Sequence, residues 1–243
     1  MRLIASGLRA ITRLSLSIAL VGVLGGIGWA GSAPMPIDDF ATPNTSSSGA
    51  LFTVGTGSYY LSKSIVPKGT KSGIAFKGSS VTIDFRGYSI IGSGNTGGLG
   101  VNGGSYNQIT IIDGNVQGMG GGGISVGSNS TVRGMHVTGC GGTGIQTGAS
   151  SVVEDNTISN SGVDGISATG LIDGNVSDGN GGNGITAANN SIVTGNEASA
   201  NGGYGISMQN GGYASDAVNN NTKGTINGGT SMGGSACDGA ACP

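Results

Sequence analysis

The charged residues that could carry chemistry in this chain recur at intervals close to twenty residues. Arg133, Glu154 and Asp173 lie 21 and 19 residues apart, and Asp155 directly follows Glu154. Stacked at that period, the first three residues would form one outward column, with like charges at Glu154 and Asp173 about one strand spacing apart. We expect the next position along, which includes Asp155, to be less exposed than this column.

Two interpretations of this acidic patch stay open. A cation would relieve the repulsion, and calcium prefers oxygen-rich acidic clusters, which makes Glu154, Asp155 and Asp173 candidate calcium ligands. Alternatively, Arg133 neutralises Glu154 in a solvated ladder and Asp173 faces water. The sequence predicts no resident cofactor and leaves calcium as a candidate ion for the patch.

The other ionisable residues form no complete catalytic motif. Glycoside hydrolysis ordinarily needs two carboxylates around the bond, but the residue in register with Asp164 on the next repeat is Asn183. Asp164 is therefore predicted to be a turn residue. The single histidine, His136, is predicted to be structural or merely exposed. The Cys and Met residues are too scattered for a copper site.

A repeat of Gly-Ile pairs must position these residues. The intervals between successive pairs are 21, 21, 19 and 21 residues, in a chain with 53 glycines. A fixed period near twenty is typical of short strands and turns wound into a solenoid. The pairs are Gly123-Ile124, Gly144-Ile145, Gly165-Ile166, Gly184-Ile185 and Gly205-Ile206.

Further apolar positions and asparagines accompany each pair. Val132, Val153, Ile172 and Val193 are predicted to stack in a second inward column beside the isoleucines, at the strand spacing of about 4.8 Å. Three residues beyond this column come Asn156, Asn175 and Asn196, and Asn221 follows Val218 at the same distance. Stacked amides can bond to one another up a ladder. The glycine before each isoleucine either adopts a conformation closed to other residues or permits close approach.

This pattern resembles the right-handed parallel β-helix repeat family, which includes pectate-lyase-like folds and periplasmic copper-accessory-type repeat proteins. The stretch 196–206 is close to the consensus of that repeat, and 57–61 followed by 81–84 resembles the opening coils of bacterial members. The resemblance covers roughly residues 50–230. It implies an all-β fold, a single-stranded right-handed parallel β-helix of about seven to eight coils.

The family's catalytic motifs are matched only in part. Asp164-Gly165-Ile166 resembles a fragment of the polygalacturonase motif, but no paired aspartates, Gly-His-Gly or Arg-Ile-Lys accompany it. The pectate-lyase arrangement of calcium-binding acids with a catalytic arginine is matched loosely by Arg133, Glu154, Asp155 and Asp173. The resemblance therefore implies these four as the candidate catalytic residues.

The ends of the chain differ from the repeats. Three arginines precede an apolar run ending in Gly28-Trp29-Ala30, which is the layout of a signal peptide over residues 1–30. Residues 31–50 are predicted to be a flexible lead-in, 51–230 the β-helix, and 231–243 a C-terminal tail or cap. The mature protein is then exported to the periplasm or the outside, with no transmembrane span after cleavage.

Charge and cysteines limit the partners and the compartment. Three of the ten Lys and Arg residues lie in 1–30, which leaves seven against twelve acids in the remainder. This balance excludes a basic patch for nucleic acid. An exported protein can oxidise Cys237 and Cys242 to a disulfide, with Cys140 left free. The alternative is three unpaired thiols.

Three functions are consistent with this sequence. The first is an exported β-helix that binds polysaccharide or another surface polymer without catalysis. The second is a polysaccharide lyase or hydrolase with a degenerate site at the acidic patch. The third is a structural or adhesive spacer. Fold alone does not choose among them.

Overall fold

The structure, a computed structural model, describes residues 33–37, 49–92 and 97–242. The predicted signal peptide lies outside these ranges, as does most of the predicted lead-in. Within the described ranges, no helix is both long and apolar enough to cross a membrane.

The described chain is nearly all β. Its strands, in chain order, are β1 Met35–Pro36, β2 Ala50–Val54, β3 Gly57–Tyr60, β4 Ser72–Phe76, β5 Val81–Asp84, β6 Ser89–Ile91, β7 Val101–Asn102, β8 Ile109–Gln117, β9 Ile124–Val126, β10 Thr131–Thr138, β11 Ile145–Thr147, β12 Ser151–Glu154, β13 Thr157–Ser159, β14 Ile166–Ala168, β15 Gly170–Asp173, β16 Val176–Asp178, β17 Ile185–Ala187, β18 Ser191–Thr194, β19 Glu197–Ser199, β20 Tyr204–Met208, β21 Gly211–Ala214, β22 Ala217–Asn219, β23 Gly224–Asn227, β24 Thr230–Ser231, β25 Ala236–Cys237 and β26 Ala240–Ala241.

These strands stack in three parallel ladders of a right-handed β-helix. The first ladder holds the Gly-Ile strands, in the order β2-β4-β7-β9-β11-β14-β17-β20-β23. The second ladder runs through β1, β3, β5, β12, β15, β18, β21 and β24, and the third through β6, β13, β16, β19, β22 and β25. The long strands β8 and β10 bend through the corner and belong to both.

The first ladder has nine strands, so the helix has about nine turns rather than seven or eight. The additional turns are the first and the last, which place Phe52 and Ile226 in the isoleucine column. Neither residue follows a glycine, and for that reason the Gly-Ile pattern does not detect them.

The core consists of the predicted inward columns. Ile145, Ile166, Ile185 and Ile206 are paired in register and fully buried. Val132, Val153, Ile172 and Val193 form the second column, also fully buried. Each coil alone buries little apolar surface, and the stack buries it collectively.

The glycine before each isoleucine permits close approach. At Gly144, an added Cβ would lie 2.5 Å from Ile158 Cγ2 and 2.6 Å from the carbonyl oxygen of Gly165. The backbone of Gly144 is not among those with positive φ. The need for glycine is therefore steric, because the next coil and the opposite wall occupy the space of a side chain.

Buried amides form two ladders, and here the sequence assignment of Asn221 was wrong. Asn156 Nδ2 donates to Asn175 Oδ1 at 2.9 Å, and Asn175 Nδ2 to Asn196 Oδ1 at 3.0 Å. The next member is Asp216, which accepts from Asn196. Asn221 belongs to a second ladder, which begins at Asn180 and continues through Asn201 to Asn221.

The C-terminal segment closes one edge of the helix. β24 and β25 continue the second and third ladders, and β26 turns back antiparallel on β25. A disulfide joins Cys237 to Cys242 across this hairpin. Cys140 is buried and unpaired, and burial raises the pKa of its thiol.

Candidate functional site

The structure brings three of the four predicted patch residues into one column of the second ladder. Arg133 pairs with Glu154, and Glu154 with Asp173, on neighbouring strands. Arg133 Nε lies 3.8 Å from Glu154 Oε1, with the arginine side chain about half exposed. An ion pair this exposed contributes about 0–1 kcal/mol to the free energy of unfolding.

Asp155 does not join this column, and the expectation that its position is less exposed was wrong. Asp155 is exposed and adopts a left-handed backbone conformation with φ 55° at the corner between the second and third ladders. Asp155 Oδ1 lies close to Gly174, the equivalent residue of the next coil. A Cβ added to Gly174 would be 2.8 Å from this oxygen. In the described part of the chain, no three His, Cys, Asp or Glu side chains are grouped to hold a metal ion.

Asp164 lies in the turn that precedes β14 of the first ladder, and each of its carboxylate oxygens accepts a hydrogen bond from a neighbouring residue. Asp164 Oδ1 accepts from the Asn183 backbone N–H at 2.8 Å, and Oδ2 accepts from the Thr186 hydroxyl at 2.7 Å. Asn183 Nδ2 donates to Thr186 Oγ1 at 3.0 Å. Asp164 therefore holds a turn in place.

His136 lies elsewhere, on the third ladder. Its side chain is exposed, and it is paired in register with Asn115 and Thr157 on the neighbouring strands.

A polar column that the sequence reasoning missed runs along the outside of the first ladder. One outward residue per strand is paired in register with the next, over all nine strands of the ladder. We call this set the outward column: Thr53, Ala75, Asn102, Ser125, Gln146, Ser167, Thr186, Ser207 and Asn227. Eight of the nine carry a hydroxyl or an amide, and none is charged. The sequence does carry a signal for this column, because the residue directly after each Gly-Ile pair is one of its members.

The C-terminal end of the outward column borders a shallow cavity of about 220 Å³. Thr186, Ser207 and Asn227 line it together with Met208 and Gln209. Because Asp164 and Asn183 bond to Thr186, they lie on the same face. Tyr204 occupies the position of Asn183 in the next coil of the ladder. Its ring lies beside Gly224, where an added Cβ would be in van der Waals contact at 3.7 Å.

One buried carboxyl lies away from this face. Asp216 is 1% exposed, and its Oδ2 atom has no hydrogen-bond partner in the described structure. Burial raises the pKa of Asp216 from 3.8 to about 6, and the hydrogen bonds from Asn196 oppose this rise only in part.

No protein-family model matches the chain, and no curated protein matches it. Two solved structures do. The A-module of the Azotobacter vinelandii mannuronan C-5 epimerase AlgE6 has a TM-score of 0.54 at 17% identity, over 75% of this chain and 66% of that module. The A-module of the epimerase AlgE4 from the same organism has a TM-score of 0.44 at 14% identity, over 72% and 71%.

At these identities the likeness shows the fold alone. The chain spans just under two thirds of the AlgE6 module. The ladders and the AlgE6 likeness define this chain as a right-handed parallel β-helix repeat protein.

Proposed function

We propose that this protein is an exported β-helix that binds a polysaccharide along the outer face of its first ladder, without cleaving it. The observation that carries the proposal is the outward column, which offers hydroxyls and amides at every coil except that of Ala75. Hydroxyl and amide side chains both donate and accept, as the hydroxyls of a sugar chain do. The evenly spaced column suits a polymer that lies lengthwise.

Two further features support this proposal. The cavity of about 220 Å³ lies on the same face and gives one place where a sugar unit could be partly enclosed. The AlgE6 module with this fold is named as an epimerase of mannuronan, so a polysaccharide-acting protein shares the architecture. That second argument is an analogy of fold and carries less weight than the face itself.

We propose that the protein does not cleave the polymer because of how its carboxylates are bonded and where they lie. A cleaving enzyme needs an acid and a base placed around the bond, or a metal and a base. On the proposed face, Asp164 is held by Asn183 and Thr186. Arg133, Glu154 and Asp173 lie on the second ladder, which is a different side of the helix.

A matched pair of double variants tests the binding face. Ser167→Ile/Ser207→Ile removes two hydroxyls from the outward column and adds bulk there. Ser159→Ile/Ser199→Ile makes the same change, also two coils apart, on the outside of the third ladder. Isoleucine suits a strand, so both variants should fold.

The measurement is binding of the mature protein to a panel of immobilised polysaccharides. We expect the first-ladder variant to weaken binding about tenfold or more and the third-ladder variant to leave it within about twofold. Equal losses in both variants would move the site elsewhere. If no polysaccharide is bound by the unaltered protein, the proposal is wrong and the spacer function takes its place.

A further inference from the structure

We infer that the polymer held on this face is an uncharged polysaccharide rather than a uronate. This inference rests on the proposed function and specifies its ligand. The charged residues that flank the outward column, coil by coil along the first ladder, support it.

The outward column itself carries no charge, so the flanking residues decide the electrostatics of the face. Asp164 is a carboxylate beside the column, bonded to Thr186. The basic residues in the turns that directly flank the strands of this ladder are Lys71 and Lys77, before and after β4, and Lys223, directly before β23. β4 and β23 lie towards opposite ends of the ladder, so the turns that flank the strands between them carry an acid and no cation.

A uronate chain carries one carboxylate on each sugar and would be poorly paired on such a surface. Its charges would lose water without gaining a cationic partner, and one of them would approach Asp164. A neutral chain avoids both costs, because its hydroxyls can pair with Ser, Thr, Asn and Gln side chains. The chemistry of the face therefore selects against charge as well as for hydroxyls.

Asp164, Asn183 and Thr186 form the most firmly held part of the face. The Thr186 hydroxyl donates to Asp164 Oδ2 at 2.7 Å and accepts from Asn183 Nδ2 at 3.0 Å. Asn183 Oδ1 in turn accepts the Tyr204 backbone N–H at 2.8 Å. With these bonds made, the second Nδ2 hydrogen of Asn183 and remaining lone pairs of Asp164 are available to a sugar hydroxyl. This trio is the expected anchor of one sugar unit.

The experiment compares polymers that differ in charge but share a backbone. Hydroxyethylcellulose and carboxymethylcellulose make one such pair, and a neutral galactomannan and mannuronan-rich alginate extend the comparison. Affinity electrophoresis of the mature protein measures the retardation by each polymer. We expect at least one neutral polymer to bind about tenfold more tightly than every carboxylated one, with little change between about 0.05 and 0.5 M salt.

A lysine placed on the face supplies the missing cation. Gln146 is exposed in the outward column, and Gln117 is exposed on the outside of the third ladder. Gln146→Lys should gain salt-sensitive affinity for carboxymethylcellulose, and Gln117→Lys should not.

The outcomes separate this inference from the proposed function. If carboxylated polymers bind more tightly than every neutral one, and salt weakens that binding, polysaccharide binding stands and the inference about charge is wrong. If Gln117→Lys gains as much as Gln146→Lys, the charge of this face does not set selectivity and the inference is likewise overturned. If none of the polymers binds, the proposed function itself fails.

Discussion

Asn196 Nδ2 donates to Asp216 Oδ1 at 3.0 Å, so a carboxyl ends a buried ladder whose preceding members are asparagines. In Asn175 and Asn196, the Nδ2 atom also donates to a carbonyl oxygen two residues earlier and to another one coil back. An ionised carboxylate has no hydrogen to donate to such carbonyl oxygens, and Asp216 Oδ2 is left without a partner in the described structure.

This relationship predicts that stability falls as pH rises. The pKa of Asp216 lies at about 6, above its ordinary 3.8, so between these values the folded chain holds a proton that the unfolded chain releases. The contribution of this group to the free energy of unfolding is full below pH 3.8 and is lost as pH rises through about 6. The total loss is at most about 3 kcal/mol.

Asp216→Asn should remove this pH dependence by completing the ladder with a neutral donor. We expect the variant to be more stable than the unaltered protein at pH 7.5, by about 1–3 kcal/mol, and equally stable near pH 4. Urea unfolding at both pH values measures the difference. Asp238→Asn, at an exposed aspartate of the last coil, is the control and should show no such gain. A flat pH profile in the unaltered protein would contradict the assignment to Asp216.

Gly144→Ala should destabilise the helix, because its Cβ would meet Ile158 and the Gly165 carbonyl at 2.5 and 2.6 Å. We expect a loss of about 1–3 kcal/mol or more, typical of overpacking a filled core. Gly55 has open space around it and no positive φ, so Gly55→Ala is the matched control. Chemical denaturation of both variants separates a steric requirement from a general preference for glycine. Equal stability of the two would show that the coils can move apart.

Removing the C-terminal disulfide should loosen the end of the third ladder. Cys237 pairs with Val218 in that ladder, and the bond to Cys242 holds the β25–β26 hairpin over its edge. For so short a loop, the expected loss in Cys237→Ala/Cys242→Ala is about 2 kcal/mol. Hydrogen exchange of β25 and β22 should rise first, because local opening precedes global unfolding. Unchanged exchange there would mean that the hairpin holds without its covalent link.

The mature protein is expected to release neither unsaturated uronides nor reducing ends from pectin, alginate or polygalacturonate, with or without calcium. The physical reason is that Arg133 and Glu154 are paired with each other at 3.8 Å. Absorbance of unsaturated products and a reducing-sugar assay measure this. Calcium-dependent cleavage that disappears in Glu154→Gln or Arg133→Ala would restore the degenerate-enzyme interpretation.

The sequence by itself determined the repeat and the core. Ile166 stacks on Ile145 because each coil has nearly the same length, and a constant period places equivalent residues one above another. The same regularity predicted that Arg133, Glu154 and Asp173 share one column. These relationships follow from local spacing, which the chain carries without reference to distant contacts.

Tertiary structure alone decided which ladder each late residue joins. Asn221 follows Val218 by three residues, as Asn156 follows Val153, but Val218 pairs with Ala198 in the third ladder. The second-ladder position of that coil is filled by Tyr213, opposite Val193. Identical local spacing occurs at both corners of the helix, so only the backbone hydrogen bonds between coils distinguish them. The burial of Asp216 and the place of Thr186 in the uncharged outward column were set by that register, since neighbours of a side chain come from other coils.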